Sequence, residues 1–121
     1  MTYDSNNIFA KILREELPCS KRYEDEFALA FEDINPQAPI HVLVIPKGAY
    51  ISMEDFSAKA STEEIAGFFR AVGQVARDLE LAGPGYRILA NHSHDGMQEV
   101  PHFHVHIFGG KRLGPMLKRD D

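Results

Sequence analysis

The sequence predicts an α+β domain in which an antiparallel sheet of about five strands carries one long helix and one or two short helices. Two observations support this fold class. Short segments rich in β-branched and aromatic residues are separated by turn residues, and one long segment has apolar residues at helical spacing. A length of 121 residues is typical of one domain, so we expect a single domain over residues 1–121 with flexible tails at 1–6 and 112–121.

The first half of the chain predicts a short helix followed by a β-meander. Asn6 or Asn7 can cap a helix over residues 8–16, and Pro18 ends it. Three strands are expected next, at about residues 21–24, 27–31 and 41–45. The turn-rich residues 33–39 connect the second of these strands to the third.

The second half of the chain predicts the main helix and two further strands. Ser61 and Glu64 form the sequence pattern of a capping box, and the helical spacing of apolar residues continues to about Leu81. The Gly-Pro-Gly segment 83–85 then stops the helix. The remaining segments are expected in this order: a strand at 86–90, a polar loop at 91–98 and a strand at 101–110.

Composition excludes several classes of function. The formal net charge of −5 argues against a nucleic-acid polymer as partner, because binding to the phosphate backbone requires concentrated Lys and Arg. No apolar run is long enough to span a membrane, and the first residues lack the regions of a signal peptide. Cys19 is the only cysteine, which fits a reducing compartment. We therefore expect a cytoplasmic protein without a membrane partner.

The most informative feature is the alternation of His102, His104 and His106 in the segment 101–110. Side chains two residues apart on a strand point to the same face, so the three imidazoles are expected to form one row facing a cleft. Half of the six histidines lie in this row, which indicates chemistry more than a solvated sheet face. The apolar residues expected to place the reverse side in the core are Phe103, Val105, Ile107 and Phe108.

Two kinds of chemistry fit this row. Neighbouring imidazoles on a strand are close enough to bind one metal ion, with further ligands from His41, His92, His94 or a carboxylate. Alternatively, one imidazole acts as a nucleophile at phosphorus while its neighbours bind or protonate the substrate, and the middle residue His104 is best placed to attack. The spacing alone leaves both alternatives open.

The segment 101–110 resembles the signature of the histidine triad (HIT) family, in which three alternating histidines are separated by apolar residues. Three upstream segments, which begin at Asn7, Leu29 and Gly85, resemble blocks of the histidine triad nucleotide-binding protein branch, so the similarity covers about residues 7–110. The third histidine, His106, favours a hydrolase over the uridylyltransferase branch, where glutamine is typical. The resemblance implies a HIT-like fold and a hydrolase of purine nucleoside 5′-phosphoramidates or related AMP derivatives. It implies no cofactor and no metal.

The resemblance also implies roles for individual residues. His104 would attack the α-phosphate to give a nucleotidyl-histidine, His102 would orient His104 through its backbone carbonyl, and His106 would help the leaving group depart. Asn91 and Gln98 match positions that hold phosphate oxygens, and Asp33 matches the acid that binds both ribose hydroxyls. The residues that match the apolar slot for the base are Ile8, Phe9, Ile12, Phe31 and Ile34.

The chain departs from the family pattern at a few positions. Tyr50 stands near a position where the family often has another histidine. Glu99 stands where a serine is often found, and as a substrate-contacting residue its carboxylate would either repel the phosphate or bind the leaving amine. His92 and His94 lie in a loop where small or acidic residues are expected. The resemblance implies a homodimer. The alternatives to a phosphoramidase are a nucleotide-binding regulatory module with little turnover and a dinucleoside polyphosphate hydrolase.

Overall fold

The computed structural model describes residues 2–118 and confirms the α+β class, with a five-stranded antiparallel sheet and three helices. The helices are α1 (Ile8–Leu13), α2 (Met53–Lys59) and α3 (Thr62–Asp78). The strands are β1 (Lys21–Glu24), β2 (Ala28–Glu32), β3 (Ile40–Pro46), β4 (Arg87–Leu89) and β5 (Val105–Gly109). Within residues 2–118, no helix is long and apolar enough to cross a membrane.

The sheet order β1-β2-β3-β5-β4 places the histidine-bearing strand beside the centre of the sheet. The first three strands form the predicted meander, and β5 then inserts between β3 and β4. In the register of β3 with β5, Leu43 lies opposite His106 and His41 lies opposite Phe108. This register brings a histidine of β3 next to the histidine row.

Both faces of the central strands are buried, which explains why their sequences lack polar alternation. On one face, Val42 and Val44 of β3 pack with Phe68 and Val72 of α3 in the main core. On the other face, a smaller core forms between α1 and the sheet. Its buried members are Phe9, Leu29, Phe31, Leu43 and Ile45. Because Val105 and Ile107 belong to the main core, His104 and His106 are directed to the side of the smaller core.

The helix starts agree with the predicted caps. The Asn7 side chain accepts a hydrogen bond from the backbone N–H of Ala10 at 2.9 Å. Ser61 and Glu64 form both hydrogen bonds of the capping box at the start of α3. Ser52 caps the short helix α2 in the same way as Asn7 caps α1. Local side-chain chemistry therefore determines where each helix begins.

The helix ends lie three residues before the predicted ones, at Leu13 rather than residue 16 and at Asp78 rather than Leu81. Both α1 and α3 end in a Schellman motif with a glutamate in the left-handed conformation, Glu15 at φ 64° and Glu80 at φ 60°. At the end of α3, the N–H of Leu81 donates to the carbonyl of Ala76 at 3.0 Å. The usual sequence signal for this motif is glycine, so these ends carry no recognisable signal.

Candidate active site

The histidine segment joins the sheet later than predicted, because β5 begins only at Val105. The N–H of Phe103 donates to the carbonyl of Tyr50 at 2.7 Å instead of to a neighbouring strand. The prediction that Phe103, Val105 and Ile107 face the core is confirmed, since each is at least 97% buried. The prediction for Phe108 is wrong. Phe108 lies two residues after His106, so the two side chains share the face opposite the main core, and their rings stack with centres 5.6 Å apart.

His102 does not face an open cleft, which corrects the predicted row of three accessible imidazoles. Its side chain is fully buried. The ring atom Nε2 lies 2.8 Å from the carbonyl oxygen of Pro46, and Nδ1 lies 2.6 Å from the hydroxyl of Tyr3. The cause is the irregular backbone before β5, which takes His102 out of the strand alternation and places it beneath the N-terminal segment.

The tautomer of His104 is determined by a backbone acceptor. Its Nδ1 lies 2.7 Å from the carbonyl oxygen of His102, which can only accept a hydrogen bond. The proton of neutral His104 is therefore on Nδ1, and Nε2 carries a free lone pair. Burial lowers the pKa of His104, against the opposing effects of the His102 carbonyl, Asp33 and Glu99. The ring is thus uncharged at neutral pH and could act as a nucleophile through Nε2. The edge of Phe9 packs against it, with ring centres 5.0 Å apart.

A fourth histidine, His41, contacts the third member of the triad. His41 Nδ1 accepts a hydrogen bond from the backbone N–H of Gln37 at 3.1 Å, so neutral His41 carries its proton on Nε2. That Nε2 donates to Nδ1 of His106 at 2.9 Å, which places the proton of neutral His106 on its own Nε2. His106 Nε2 is buried and has no hydrogen-bond partner within residues 2–118. It is a free donor next to His104, whose ring centre lies 5.1 Å from that of His106.

From the sequence, His41 is expected only as a possible metal ligand. The register of β3 with β5 places it beside the histidine row and so in the site. Burial lowers the pKa of His41, partly offset by Asp33. Burial also lowers the pKa of His106 to about 4, with further lowering from His104 and His41. The cluster is therefore uncharged at neutral pH, and its proton positions follow from the hydrogen bonds described above.

One group of side chains in this site could hold a metal ion. The ligand atoms of Asp33, His41 and His106 lie within 4.8 Å of one another. Asp33 Oδ2 lies 3.4 Å from His41 Nε2. Two imidazoles and a carboxylate are a reasonable ligand set for zinc. Such an ion would replace the proton between His41 and His106, so metal binding and the hydrogen-bonded arrangement are mutually exclusive at this point.

The residues predicted for the base slot fall into two groups. Phe9 and Phe31 are buried and meet edge to face at 5.5 Å, with Ile12 packed against the same cluster. Ile8 and Ile34 are exposed, at 55% and 99% of their surface. Phe9 also contacts His104, so it connects the apolar cluster to the candidate nucleophile.

The residues predicted to contact the phosphate or the leaving group come from the loop before the histidine segment. Asn91 is half-buried and Glu99 is exposed. Gln98 uses both hydrogens of its side-chain amide internally, donating to the carbonyls of Ile51 at 2.6 Å and Val100 at 3.0 Å. As placed, Gln98 supports the loop and offers no free donor to a ligand. His92 and His94 are exposed on the same loop, as expected for solvated loop residues.

Two tyrosines lie near the site, and their hydroxyls bind different partners. Tyr50, at the position where a family histidine is often found, donates its hydroxyl to the Glu64 carboxylate at 2.8 and 2.9 Å. Tyr3 contacts His102 from the N-terminal segment. Sequence reasoning missed Tyr3, and nothing in the pattern of the chain connects residues 99 positions apart.

Comparisons with known proteins point to one family. The HIT domain model matches residues 14–113. An uncharacterised 13.2 kDa HIT-like protein of Azospirillum brasilense is 65% identical over 118 residues, 98% of this chain and 97% of that protein. The purine nucleoside phosphoramidase of Escherichia coli K12 is 40% identical over 110 residues, 91% of this chain and 92% of that protein. A solved histidine triad protein from Clostridium difficile matches with a TM-score of 0.86 at 36% identity, covering 96% of this chain and 100% of that chain.

Proposed function

Since the chain belongs to the HIT domain family, we propose that it is a cytoplasmic hydrolase that cleaves purine nucleoside 5′-phosphoramidates or related AMP derivatives. The reaction proceeds through a covalent nucleotidyl-histidine and requires no metal ion. One observation carries the proposal: His104 has its proton held on Nδ1 by the His102 carbonyl, which leaves Nε2 free to attack. The similarity to a purine nucleoside phosphoramidase supports the choice of substrate.

In the first step, the lone pair of His104 Nε2 attacks the α-phosphorus, and the bond between phosphorus and the leaving nitrogen breaks. The departing amine needs a proton, and His106 is suited to supply it because its unpartnered Nε2–H lies beside His104. His106 is left as an imidazolate, whose Nδ1 still accepts the hydrogen bond from His41 Nε2 at 2.9 Å. Its negative charge is balanced by the positive charge on the ring of the nucleotidyl-histidine, because Nδ1 of His104 keeps its proton. The products of this step are the free amine and the nucleotidyl-histidine.

In the second step, water attacks the same phosphorus, and the bond to His104 Nε2 breaks. The water loses one proton to His106, which returns to its starting state, and the nucleoside monophosphate leaves. His104 regains its lone pair on Nε2, while its Nδ1–H remains bonded to the His102 carbonyl. No net charge accumulates on the cluster over the cycle, which fits a site whose burial opposes charging of His102 and His106.

For the nucleoside, we assign the apolar cluster of Phe9, Ile12 and Phe31 to the base, with Ile8 and Ile34 exposed at its edge. Asp33 binds the ribose hydroxyls, since a carboxylate accepts from two donors. We assign Asn91 to the phosphate and the exposed Glu99 to the leaving group, while Gln98 keeps its loop in place. These assignments follow the family resemblance and agree with the burial of the apolar cluster.

The test is release of a fluorescent amine from a fluorogenic adenosine phosphoramidate in the presence of a chelator. The parent chain should release the amine, and His104→Ala should lose at least about a thousandfold in kcat because the nucleophile is absent. His94→Ala is the matched control, since this histidine is exposed on a loop, and it should retain parental activity. Mass spectrometry of the quenched reaction should show adenylylated parent protein and unmodified His104→Ala.

Three outcomes would contradict the proposal. Substantial turnover by His104→Ala would exclude His104 as nucleophile. Loss of parental activity on chelation, with recovery on adding Zn²⁺, would favour a metal at Asp33, His41 and His106. Absence of turnover in the parent, together with tight binding of AMP, would favour a nucleotide-binding regulatory module. One observation favours this second candidate: the Tyr50 hydroxyl is hydrogen-bonded to Glu64. Near the position where the family often has another histidine, this chain therefore has neither a histidine nor a free hydroxyl.

We also propose that the chain forms a homodimer through the β4 edge and α3. β4 is an edge strand, and two of its apolar residues are exposed, Ile88 at 46% and Leu89 at 37% of their surface. Tyr86, just before the strand, is 42% exposed. Phe69 on α3 is also 39% exposed. Multi-angle light scattering should give a dimer for the parent and a monomer for Ile88→Lys. A monomeric parent would contradict this assignment.

A further inference from the structure

The N-terminal segment provides a hydrogen-bond donor to the buried side of the histidine cluster. The Tyr3 hydroxyl lies 2.6 Å from Nδ1 of His102, and the two rings meet edge to face with centres 5.6 Å apart. The segment is held in place before α1, since the side-chain amide of Asn7 donates to the carbonyl of Asp4 at 2.7 Å. Tyr3 therefore reaches His102 from an anchored segment.

The direction of this hydrogen bond follows from the other side of the ring. His102 Nε2 lies 2.8 Å from the Pro46 carbonyl, which only accepts, so the proton of neutral His102 is on Nε2. Nδ1 then carries a lone pair and accepts from the Tyr3 hydroxyl. Because His102 is fully buried, an unpartnered Nδ1 would be a desolvated acceptor, and Tyr3 prevents this.

His102 transmits this constraint to the candidate nucleophile through its backbone. Its carbonyl oxygen holds the Nδ1 proton of His104 at 2.7 Å. The ring of the same residue is fixed at both nitrogens, by Pro46 on one side and Tyr3 on the other. Fixing the ring restricts rotation of the residue and keeps its carbonyl pointed at His104.

We infer that Tyr3 is a positioning residue of the hydrolase, which holds His102 so that its carbonyl keeps His104 Nε2 aimed at the phosphorus. This inference rests on the proposed function. Tyr50 does not have this role, because its hydroxyl is directed to Glu64. The tyrosine that serves the histidine cluster thus comes from the beginning of the chain rather than from the loop after β3.

The test compares Tyr3→Phe with the parent in the phosphoramidate assay and by nitrogen NMR of the histidines. Tyr3→Phe keeps the ring and removes only the hydroxyl, so kcat should fall about tenfold, with KM changed less than about twofold. The Nδ1 signal of His102 should move toward that of a ring nitrogen without a hydrogen-bond donor. The control is Arg14→Gln, which removes the bond from Arg14 to the Ser5 carbonyl at 2.8 Å and so loosens the same segment without removing the hydroxyl. This control should keep parental kcat and the parental His102 signal.

Parental kcat in Tyr3→Phe, or an unchanged His102 signal, would overturn the inference. An equal loss in Arg14→Gln would also overturn it, because the effect would then come from the segment as a whole. A parent without phosphoramidase activity would refute the proposed function instead. The nitrogen signal of His102 would in that case still decide whether Tyr3 holds this ring, since it does not depend on turnover.

Discussion

The burial of His102 predicts that the protein becomes less stable as the pH falls from 7 to 5. Burial lowers the pKa of His102 to about 4, from an ordinary value of 6.5. In the unfolded chain this ring takes up a proton as the pH falls below 6.5, whereas in the folded chain it resists protonation until about pH 4. The unfolded state then binds more protons, so the free energy of unfolding decreases as the pH falls through this interval.

The magnitude follows from the two pKa values. Between pH 7 and pH 5 the unfolded ring becomes almost fully protonated and the folded ring hardly at all, which lowers the free energy of unfolding by about 2 kcal/mol. This is a large share of the stability of a small domain, which is typically about 5 to 15 kcal/mol. Other groups also titrate in this interval, so the contribution of His102 must be isolated by a variant.

The assay is urea unfolding of the parent and of His102→Gln at pH 7 and pH 5. Glutamine does not titrate and can still donate to the Pro46 carbonyl. We expect the pH change to destabilise the parent by about 2 kcal/mol more than the variant. Equal losses in the two proteins would refute the reasoning. Should His102→Gln fail to fold, direct NMR titration of His102 in the parent decides the question, and an apparent pKa of 6 or above would contradict it.

Four further predictions concern the fold and the candidate nucleophile. Glu80→Gly should raise the free energy of unfolding by about 0.5 to 1 kcal/mol in urea unfolding, because Glu80 holds a positive φ of 60° that glycine adopts without strain; a loss would contradict this. In α3, Gly67→Ala should cost about 1 to 3 kcal/mol, because the added Cβ would overlap the ring of Phe27. Gly73→Ala, where the nearest atom is 3.4 Å away on a flexible arginine, should instead stabilise by about 0.5 to 1 kcal/mol by the same measurement. The apparent pKa for the loss of kcat/KM at low pH should lie below 6.5, because burial lowers the pKa of His104 and keeps its Nε2 unprotonated. An apparent pKa above 6.5 would contradict this prediction.

The parts of the fold that were predicted correctly depend on short-range patterns. The caps at Asn7 and Ser61 follow from side chains that bond to backbone groups three residues away. The strand positions follow from β-rich segments between turns. The helix ends were placed too late because Glu15 and Glu80 adopt a conformation for which glycine is the usual signal. Local structure is thus predictable where a characteristic residue type, such as an asparagine or serine cap, marks the boundary.

The candidate site was predictable in its residue types more than in its geometry. Alternation placed Val105 and Ile107 in the core correctly, but it also predicted that His102 would share an open face with its neighbours. Alternation holds only inside a strand, and the chain leaves the sheet before Val105. The contact between His41 and His106 requires the pairing of two strands 65 residues apart, which periodicity within either strand cannot reveal.

The proton positions of the cluster depend mainly on the backbone. The amide of Gln37 and the carbonyls of Pro46 and His102 each determine which nitrogen of a contacting imidazole carries the proton. These groups cannot be removed by changing their side chains, so the arrangement is sensitive to the course of the chain and tolerant of surface substitution. The contacts from Tyr3 to His102 and from His41 to His106 are the exceptions, because their donors are side chains. Removal of the Tyr3 hydroxyl can therefore loosen His102, and with it the carbonyl that orients His104, without any change to the backbone sequence.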